Sequence, residues 1–284
     1  MSITDTNPTK QWLVGETGVW SGSPNGGWRR HGPYPFAVQS IVRLDPDLLV
    51  GTGHGLWHAS QDADKRWVQL HDETLTEVMA VALDSDGSAI VGGSYGVSVC
   101  QEDELGLPRW RSLTETRSPD ERYTNALCLD QDDLWLAGTE AGVLASNDRG
   151  ANWQATDLRG SPVRCVVRGA DSWLAGTDLT GLWQSYDGHA WNQIEAPFSA
   201  AFSVAMHGDL LLVGSFDGIW RRDQDGWARS GPRALIRCLA VSASTWAAGA
   251  DPGGLWQSTD QGTSWQRTGP FQRVHALCAP ELGG

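Results

Sequence analysis

The sequence of 284 residues has no long hydrophobic run, no cluster of lysine and arginine, and no Cys-x-x-Cys pair. No apolar stretch approaches the roughly 18 residues of a membrane-spanning helix. Residues 1–10 lack the basic and apolar segments of a signal peptide, so a cytoplasmic location is predicted. No window keeps apolar residues at helical spacing for more than about two turns, which argues against an α-helical fold.

The charge balance argues against nucleic-acid binding. The 34 acidic residues outnumber the 21 basic ones and give a net charge of −13. A chain of this charge is repelled by the phosphate backbone and by anionic lipid surfaces. We therefore expect neither nucleic acid nor membrane among its partners.

Cysteine is also scarce, and its placement argues against disulfides and metal. Cys165 and Cys238 occupy one equivalent position of the repeat described below, and Cys128 and Cys278 occupy another. Equivalent positions in separate repeats are held apart, so these thiols are expected to act as small apolar fillers in a reducing compartment. The two histidines of His-Gly-Leu-Trp-His (54–58) do not share a helical face. The sequence thus predicts no metal and no cofactor.

What the chain does have is a repeat of 35 to 46 residues, present seven times. Each copy contains an apolar run that ends in glycine, a short turn, a second apolar run and a polar turn. A period in this range indicates a solenoid, a propeller or an array. The glycines that align the copies are Gly15, Gly51, Gly92, Gly138, Gly176, Gly214 and Gly249.

A further apolar run precedes each glycine-ended run, so each repeat contains four strands, here named A to D. Seven four-stranded sheets arranged radially make an all-β, seven-bladed β-propeller of antiparallel blades. The chain starts with a strand B at 11–15 and ends with a strand A at 273–279. The C-terminal strand is therefore expected to complete the first blade, with one domain at 11–284 and a loose tail at 1–10.

Three turns between strands C and D follow a Ser-x-Asp-x-Gly-x-x-Trp pattern or a close variant. In such a turn the aspartate accepts hydrogen bonds from backbone N–H groups, glycine takes a left-handed conformation and tryptophan covers the blade edge. We interpret the pattern as a folding element. The three turns are 146–153, 258–265 and the shorter 185–191.

With these turns the chain resembles the Asp-box, or BNR-repeat, propellers, which include sialidases, sortilin-type receptors and photosystem II assembly factors. The resemblance implies the fold and says little about activity. A sialidase would need an arginine triad, a Tyr/Glu nucleophile pair and usually an early Arg-Ile-Pro-type motif, and that motif is absent. The assembly factors act beyond an export step, for which this sequence shows no signal.

A ring of mostly polar residues is predicted where the A strands start. When these strands are aligned on a small residue near the axis, the preceding position is polar in most blades, which core packing does not explain. This end of the central channel, which also holds the B–C turns, is here named the mouth. In blade order 1 to 7 the ring residues are His275, Gln39, Met79, Asn125, Arg164, Ser203 and Arg237.

The arginines of this ring have two interpretations. Arg164 and Arg237 can bind a carboxylate or phosphate bidentately, with His275 as an acid or base. Alternatively, each arginine pairs with the aspartate fourteen residues later, Asp178 or Asp251, in the B–C turn of its own blade. Both can hold together, because a paired arginine often keeps spare donors.

Other residues extend the candidate site. Glu77 and Tyr123 are candidate acid/base groups beside His275 if neighbouring blades bring them together. Arg273, His54 and Tyr95 are further candidate ligand contacts at the mouth.

Three classes of function remain open. The first is a cytoplasmic scaffold or assembly factor that binds a small anionic or polar ligand, or a protein partner, at the mouth. The second is an enzyme of lyase, cyclase or hydrolase type that acts there on a small anionic substrate with His275, Arg164 and Arg237. The third is a tryptophan-rich lectin with exposed tryptophans in equivalent grooves. Long connections at 101–108 and 113–122 are either functional loops or neutral variation.

Overall fold

The computed structural model describes residues 11–23, 26–44, 47–60, 66–102, 108–130 and 133–280. In these residues, 28 β-strands form seven antiparallel sheets of four strands each, arranged as the blades of a ring. The predicted all-β, seven-bladed propeller is therefore confirmed. The tail predicted at 1–10 and most of the connection 101–108 lie outside the described residues.

The strands follow the chain blade by blade. Blades 1 and 2 contain β1 (Trp12–Glu16), β2 (Gly18–Ser23), β3 (Gly26–Arg30), β4 (Val38–Leu44), β5 (Asp47–Thr52), β6 (Gly55–Ala59) and β7 (Trp67–Leu70). Blades 3 and 4 contain β8 (Val78–Leu83), β9 (Ala89–Gly93), β10 (Gly96–Glu102), β11 (Pro108–Ser112), β12 (Thr124–Leu129), β13 (Trp135–Thr139), β14 (Gly142–Ser146) and β15 (Gln154–Arg159).

The second half of the chain continues the pattern. Blade 5 and blade 6 contain β16 (Val163–Arg168), β17 (Trp173–Thr177), β18 (Leu182–Ser185), β19 (Asn192–Ile194), β20 (Ser203–His207), β21 (Leu210–Ser215), β22 (Gly218–Asp223) and β23 (Gly226–Ser230). Blade 7 contains β24 (Ile236–Val241), β25 (Trp246–Ala250), β26 (Gly254–Ser258) and β27 (Gln266–Thr268), and β28 (Ala276–Cys278) follows. A 3₁₀ helix (Glu73–Leu75) and helix α1 (Pro119–Arg122) lie in connections between blades.

The two ends of the described chain meet in blade 1. Strand β28 pairs antiparallel with β1, so that blade 1 has the order β28-β1-β2-β3. Glu16 Oε1 accepts the backbone N–H groups of Gln272 and Arg273 at 2.8 and 3.2 Å, which ties the last connection to the first B–C turn. The predicted closure of the ring is therefore confirmed.

The glycine that ends each strand B is needed because the next blade packs directly on it. A Cβ atom at Gly138 would lie 2.7 Å from Val163 Cγ1, and one at Gly176 would lie 2.6 Å from the Ala201 carbonyl oxygen. Both distances are shorter than the approach of non-bonded heavy atoms allows. Glycine in a strand often marks such a close approach, and here it lets neighbouring blades pack near the axis.

Apolar side chains fill the space between blades. One buried cluster joins Leu136 and Val143 of blade 4 to Val166 and Trp173 of blade 5, and similar clusters occur around the ring. Each Å² of apolar surface removed from water stabilises by about 25 cal/mol. The blades therefore hold one another in place, and the starts of their A strands are set at fixed positions around the channel.

The three Ser-x-Asp turns share one hydrogen-bond pattern at the end of the propeller opposite the mouth. Ser258 Oγ accepts the Gly262 N–H at 2.8 Å and donates to Asp260 Oδ1 at 2.7 Å. The hydroxyl and backbone N–H of Ser264 donate to Asp260 and lower the pKa of its carboxyl to about 2. The other two turns repeat the serine contacts. The geometry agrees with a folding element.

Candidate functional site

An irregularity shared by most A strands forms the mouth. In β4, β8, β12, β16 and β24, the pairing with strand B skips one residue, which is a β-bulge. A bulge re-aims the side chain of its extra residue. The five skipped residues and His275 line a cavity of about 120 Å³ at this end of the channel. The skipped residues are Gln39, Met79, Asn125, Arg164 and Arg237.

Blade 6 departs from the predicted ring. Strand β20 pairs Ser203 with Gly214, so Ser203 takes the small-residue position and Phe202 takes the place in the ring. Ser203 is buried, and its hydroxyl has no hydrogen-bond partner in the described part of the chain. The register thus corrects the prediction by one residue: Phe202, and not Ser203, is the member from blade 6.

Blades 3 to 5 contribute a set of mutually bonded side chains, here named the paired arc. Arg164 donates from Nε and Nη2 to Asp178 at 2.8 and 2.5 Å, and from Nη1 to Glu140 Oε1 at 2.7 Å. The Asn125 amide donates to the same Glu140 oxygen at 3.0 Å. The predicted pairing of Arg164 with Asp178 is therefore present, and every guanidinium nitrogen has a carboxylate partner. The paired arc consists of Glu77, Tyr123, Asn125, Glu140, Arg164 and Asp178.

Two candidate acid/base groups meet in the paired arc. Burial and a hydrogen bond with Glu77 raise the pKa of Tyr123 to about 12. Tyr123 is therefore protonated at neutral pH and donates to the Glu77 carboxylate. Glu140 and Arg164 are its other charged neighbours, whereas the charged neighbours of His275 lie on blades 7 and 1. The structure brings Glu77 and Tyr123 together and leaves His275 in a separate group.

That separate group lies on blades 7, 1 and 2 and is here named the open arc. It consists of Gln39, Arg237, Arg273 and His275. Asp251 is the acidic neighbour that the two arginines and the histidine share. Its carboxylate lies 3.9 Å from Arg237 Nε, 3.4 Å from Arg273 Nε and 3.8 Å from His275 Nδ1. Within the described ranges, the Nη groups of both arginines and the Gln39 amide have no hydrogen-bond partner. The open arc therefore has hydrogen-bond donors available for a ligand, whereas the guanidinium donors of the paired arc are bonded within the protein.

His275 is more enclosed than the two arginines of the open arc, with 13% of its side chain exposed. Desolvation lowers the pKa of His275 and outweighs the opposite effect of Asp251. The imidazole is therefore neutral at neutral pH. Its Nδ1 atom is buried without a hydrogen-bond partner among the described residues. A neutral imidazole beside two guanidinium groups can hydrogen-bond a ligand or accept a proton from it.

Aromatic side chains stand at the rim of the mouth. Phe216, in the B–C turn of blade 6, meets Phe202 edge to face with 4.6 Å between the ring centroids. His54 stacks on Phe36 with 4.8 Å between the rings. Tyr95 is exposed in the B–C turn of blade 3. His54 and Tyr95 therefore lie on the mouth face, outside the set of side chains that line the cavity.

Sequence reasoning missed Phe202 and the role of Glu140. In blades 2 to 7 the ring residue lies twelve or thirteen positions before the glycine of strand B, and this count gives Phe202 in blade 6. That regular spacing is the signal that identifies it. The bond from Arg164 to Glu140 joins two blades, so no spacing within one repeat could have indicated it.

The histidines and cysteines considered above for metal binding and for disulfides lie outside the open arc. His54 stacks on Phe36, while His58 Nε2 bonds Asp47 at 2.8 Å. Among the residues that the structure describes, there is no group of three or more His, Cys, Asp or Glu side chains placed to hold a metal ion. All five cysteines lie in the described ranges, and none forms a disulfide.

The tryptophans do not have the exposure that a lectin requires. All 16 lie in described segments, and each is buried or half-buried. Trp153 and Trp191, which end two of the Ser-x-Asp turns, are 7% and 5% exposed. The grooves with exposed tryptophan that the lectin hypothesis predicts are therefore not found at these residues. No helix in the described segments is long and apolar enough to cross a bilayer.

Comparison with known proteins shows the fold alone. No protein-family model and no curated protein matches the sequence. Among solved structures, the extracellular domain of a one-component system from B. thetaiotaomicron has a TM-score of 0.73 at 19% identity, over 87% of this chain. This chain covers 36% of the length of that protein.

Two further structures match nearly the whole propeller. Virginiamycin B lyase from Staphylococcus aureus has a TM-score of 0.68 at 12% identity, covering 85% of this chain and 88% of the other. The computationally designed protein Ika8 has a TM-score of 0.62 at 15% identity, covering 86% and 81%. These similarities place the protein in the class of seven-bladed β-propellers, an architecture that commonly binds ligands or partners.

Proposed function

We propose that this protein is a binding propeller that takes a small anionic group, above all a carboxylate, at the open arc. The observation that supports this most directly is the orientation of Arg237 and Arg273. Each turns Nε toward Asp251 and keeps its Nη groups available, and such N–H groups bind carboxylates in parallel pairs. His275 and Gln39 add hydrogen-bonding groups beside Arg237 in the same cavity.

The distribution of charge supports binding on one side of the mouth. In the paired arc, Glu77, Glu140 and Asp178 outnumber Arg164, and the bonds of Arg164 to two of them use its donors. In the open arc, Arg237 and Arg273 balance Asp251 and Glu16. An anion is therefore repelled from blades 3 to 5 and meets available donors at blades 7 and 1.

The test is thermal unfolding with calorimetric titration, using acetate, phosphate and ethylamine at low ionic strength. A ligand at about 100 times its Kd stabilises the folded state by roughly 2.7 kcal/mol. We expect acetate to stabilise the wild type and Arg111→Gln, but not Arg237→Gln. Arg111 lies on the outer strand of blade 3, so its variant changes the net charge equally. Equal stabilisation of all three proteins, or stabilisation by ethylamine alone, contradicts the proposal.

Catalysis at His275 is a second candidate. It is supported by the lowered pKa of His275 and by its place beside Arg237, which fit a neutral general base acting on a carboxylate-bearing substrate. One of the similar structures is, by its name, a lyase. Incubation of bound carboxylates with wild type and His275→Gln, followed by NMR, separates the two candidates. Conversion of a carboxylate by the wild type, but not by His275→Gln, would favour a catalytic site over a binding site.

A protein partner on the mouth face is a third candidate. It is supported by four exposed apolar side chains in the turns and connections of this face, namely Tyr34, Tyr95, Leu179 and Phe216. Cross-linking in the source cell, compared between wild type and Leu179→Asp, tests it.

We also infer a cytoplasmic setting, supported by cysteines without disulfides, and Asp-box ancestry, supported by the three Ser-x-Asp turns.

A further inference from the structure

The mouth has an aromatic wall that a simple carboxylate would not use. Phe202 stands in the ring between Arg164 of blade 5 and Arg237 of blade 7. Phe216 packs against it from the B–C turn of the same blade. Phe202 is 9% exposed, whereas Phe216 is 59% exposed. The wall therefore presents one phenyl ring to solvent, held in place by a second ring that is buried.

We propose that the mouth selects carboxylates that carry an aromatic ring, with the carboxylate on Arg237 and the ring on Phe216. This inference rests on the proposed function and adds the chemical class of the ligand. Arg237 and Phe202 line the same cavity, so a ligand held by the guanidinium lies next to the wall. A ring that meets Phe216 edge to face or offset forms the kind of aromatic pair that stabilises a complex beyond simple burial.

The size of the cavity decides which part of the ligand enters it. The volume at the mouth is about 120 Å³. An engineered protein cavity of about 150 Å³ holds one benzene molecule and little else. This volume accommodates the carboxylate and its first carbon atoms. The same ring residues also line a cavity of about 290 Å³ in the channel, so the aromatic ring has two places open to it, and the exposed ring of Phe216 offers an aromatic partner at the rim. Phe216 is the exposed aromatic side chain of blade 6, and it packs on Phe202, which lines the cavity together with Arg237.

The electrostatic setting favours an acid over an amine at this wall. Asp217, next to Phe216, lies 3.5 Å from Arg229, whose positive charge offsets the negative charge of the carboxylate. Arg237 has an Nε contact with Asp251 at 3.9 Å, which leaves its terminal nitrogens for the ligand. An aromatic amine of the same shape would bring a second cation to Arg237. The charge of the ligand thus decides binding as much as its ring.

The experiment is calorimetric titration of the full chain with acetate, benzoate, phenylacetate and 3-phenylpropionate, with phenethylamine as the charge control. The three aryl acids vary the distance between carboxylate and ring. Because one aromatic pair contributes about 0.5–1.5 kcal/mol, we expect the best aryl acid to bind roughly 2- to 13-fold tighter than acetate. Phe216→Ala should remove this advantage and leave acetate binding unchanged. Tyr186→Ala, at an exposed aromatic residue in the turn 185–191 opposite the mouth, is the matched control and should change nothing.

The outcomes separate this inference from the proposed function. If acetate and the aryl acids bind equally and both lose affinity in Arg237→Gln, the carboxylate site stands and the aromatic selection is wrong. If no acid binds, or phenethylamine binds as tightly as the acids, both proposals are wrong. Gly-Gly-Phe and its C-terminal amide distinguish a free acid from a polypeptide end. Tighter binding of the tripeptide acid than of any aryl acid, with no binding of the amide, would assign the same chemistry to a C-terminal phenylalanine.

Discussion

Replacing Arg164 by methionine should destabilise the propeller clearly, because it removes the cation between two carboxylates. Arg164 lies 2.7 Å from Glu140 and 2.5 Å from Asp178, and its side chain is 28% exposed. Removing one partner of a buried pair costs roughly 3–5 kcal/mol, whereas an exposed pair contributes at most about 1 kcal/mol. For this partly exposed group we expect a loss of about 2 kcal/mol, which for a large domain corresponds to a fall in Tm of roughly 4–8 °C.

The pH dependence of this loss identifies its cause. The hydrogen bonds from Arg164 to Asp178 raise the pKa of the guanidinium above its ordinary value, so Arg164 stays charged at every accessible pH. The loss of stability in Arg164→Met is therefore caused by the two carboxylates that have lost their cation. This loss should become smaller at low pH, where carboxylates are protonated. Differential scanning calorimetry between pH 3 and pH 8 measures it. Arg237→Met is the control, because Asp251 lies 3.9 Å from the Arg237 guanidinium, farther than the carboxylates lie from Arg164. Equal Tm values for the two variants at pH 7 would refute the reasoning.

Three further outcomes follow from contacts described above. Glu16→Ala should lower the free energy of unfolding by about 1–2 kcal/mol in urea denaturation, because two backbone N–H groups lose their acceptor; Glu16→Gln keeps an acceptor, so an equal loss in both variants would speak against this contact. The pKa of His275 is lowered in the folded state, so wild-type stability should fall relative to His275→Gln as the pH drops below about 6.5, the unfolded value; parallel stability curves would disprove it. Ser258→Ala should cost about 1–2 kcal/mol in the same urea assay, since Gly262 and Asp260 lose their partner, and an unchanged midpoint would show that the turn is not stabilised by this serine.

The architecture was accessible from the sequence because six of the seven blades are formed by consecutive strands of the chain. The apolar run, the glycine at its end and the polar turn are all set by neighbours along the chain, and seven copies make the pattern unmistakable. The glycine that ends strand B can be recognised in the sequence, but the reason that glycine is required there cannot. Gly138 and Gly176 are needed because the next blade packs against them, and that contact joins residues in different repeats.

The mouth was less accessible for the same reason. The pairing of Arg164 with Asp178 lies within one blade and could be predicted from spacing, whereas its bond to Glu140 crosses to the blade before. Aligning the A strands on a small residue puts Ser203 in the ring and the residue after it at the small position. Composition alone could not choose between the two positions, and the pairing of β20 with β21 does so.

The closure of blade 1 has a consequence for how the protein is made. Ala276–Cys278 is the last strand that the structure describes, and it pairs with β1, which is synthesised before the other described strands of the ring. During translation one edge of β1 therefore remains unpaired until the strands of the six other blades have been synthesised. Unpaired strand edges recruit other chains. A stalled or prematurely terminated product that ends before residue 276 would keep this edge, and we expect such fragments to be the species that needs a chaperone or a protease.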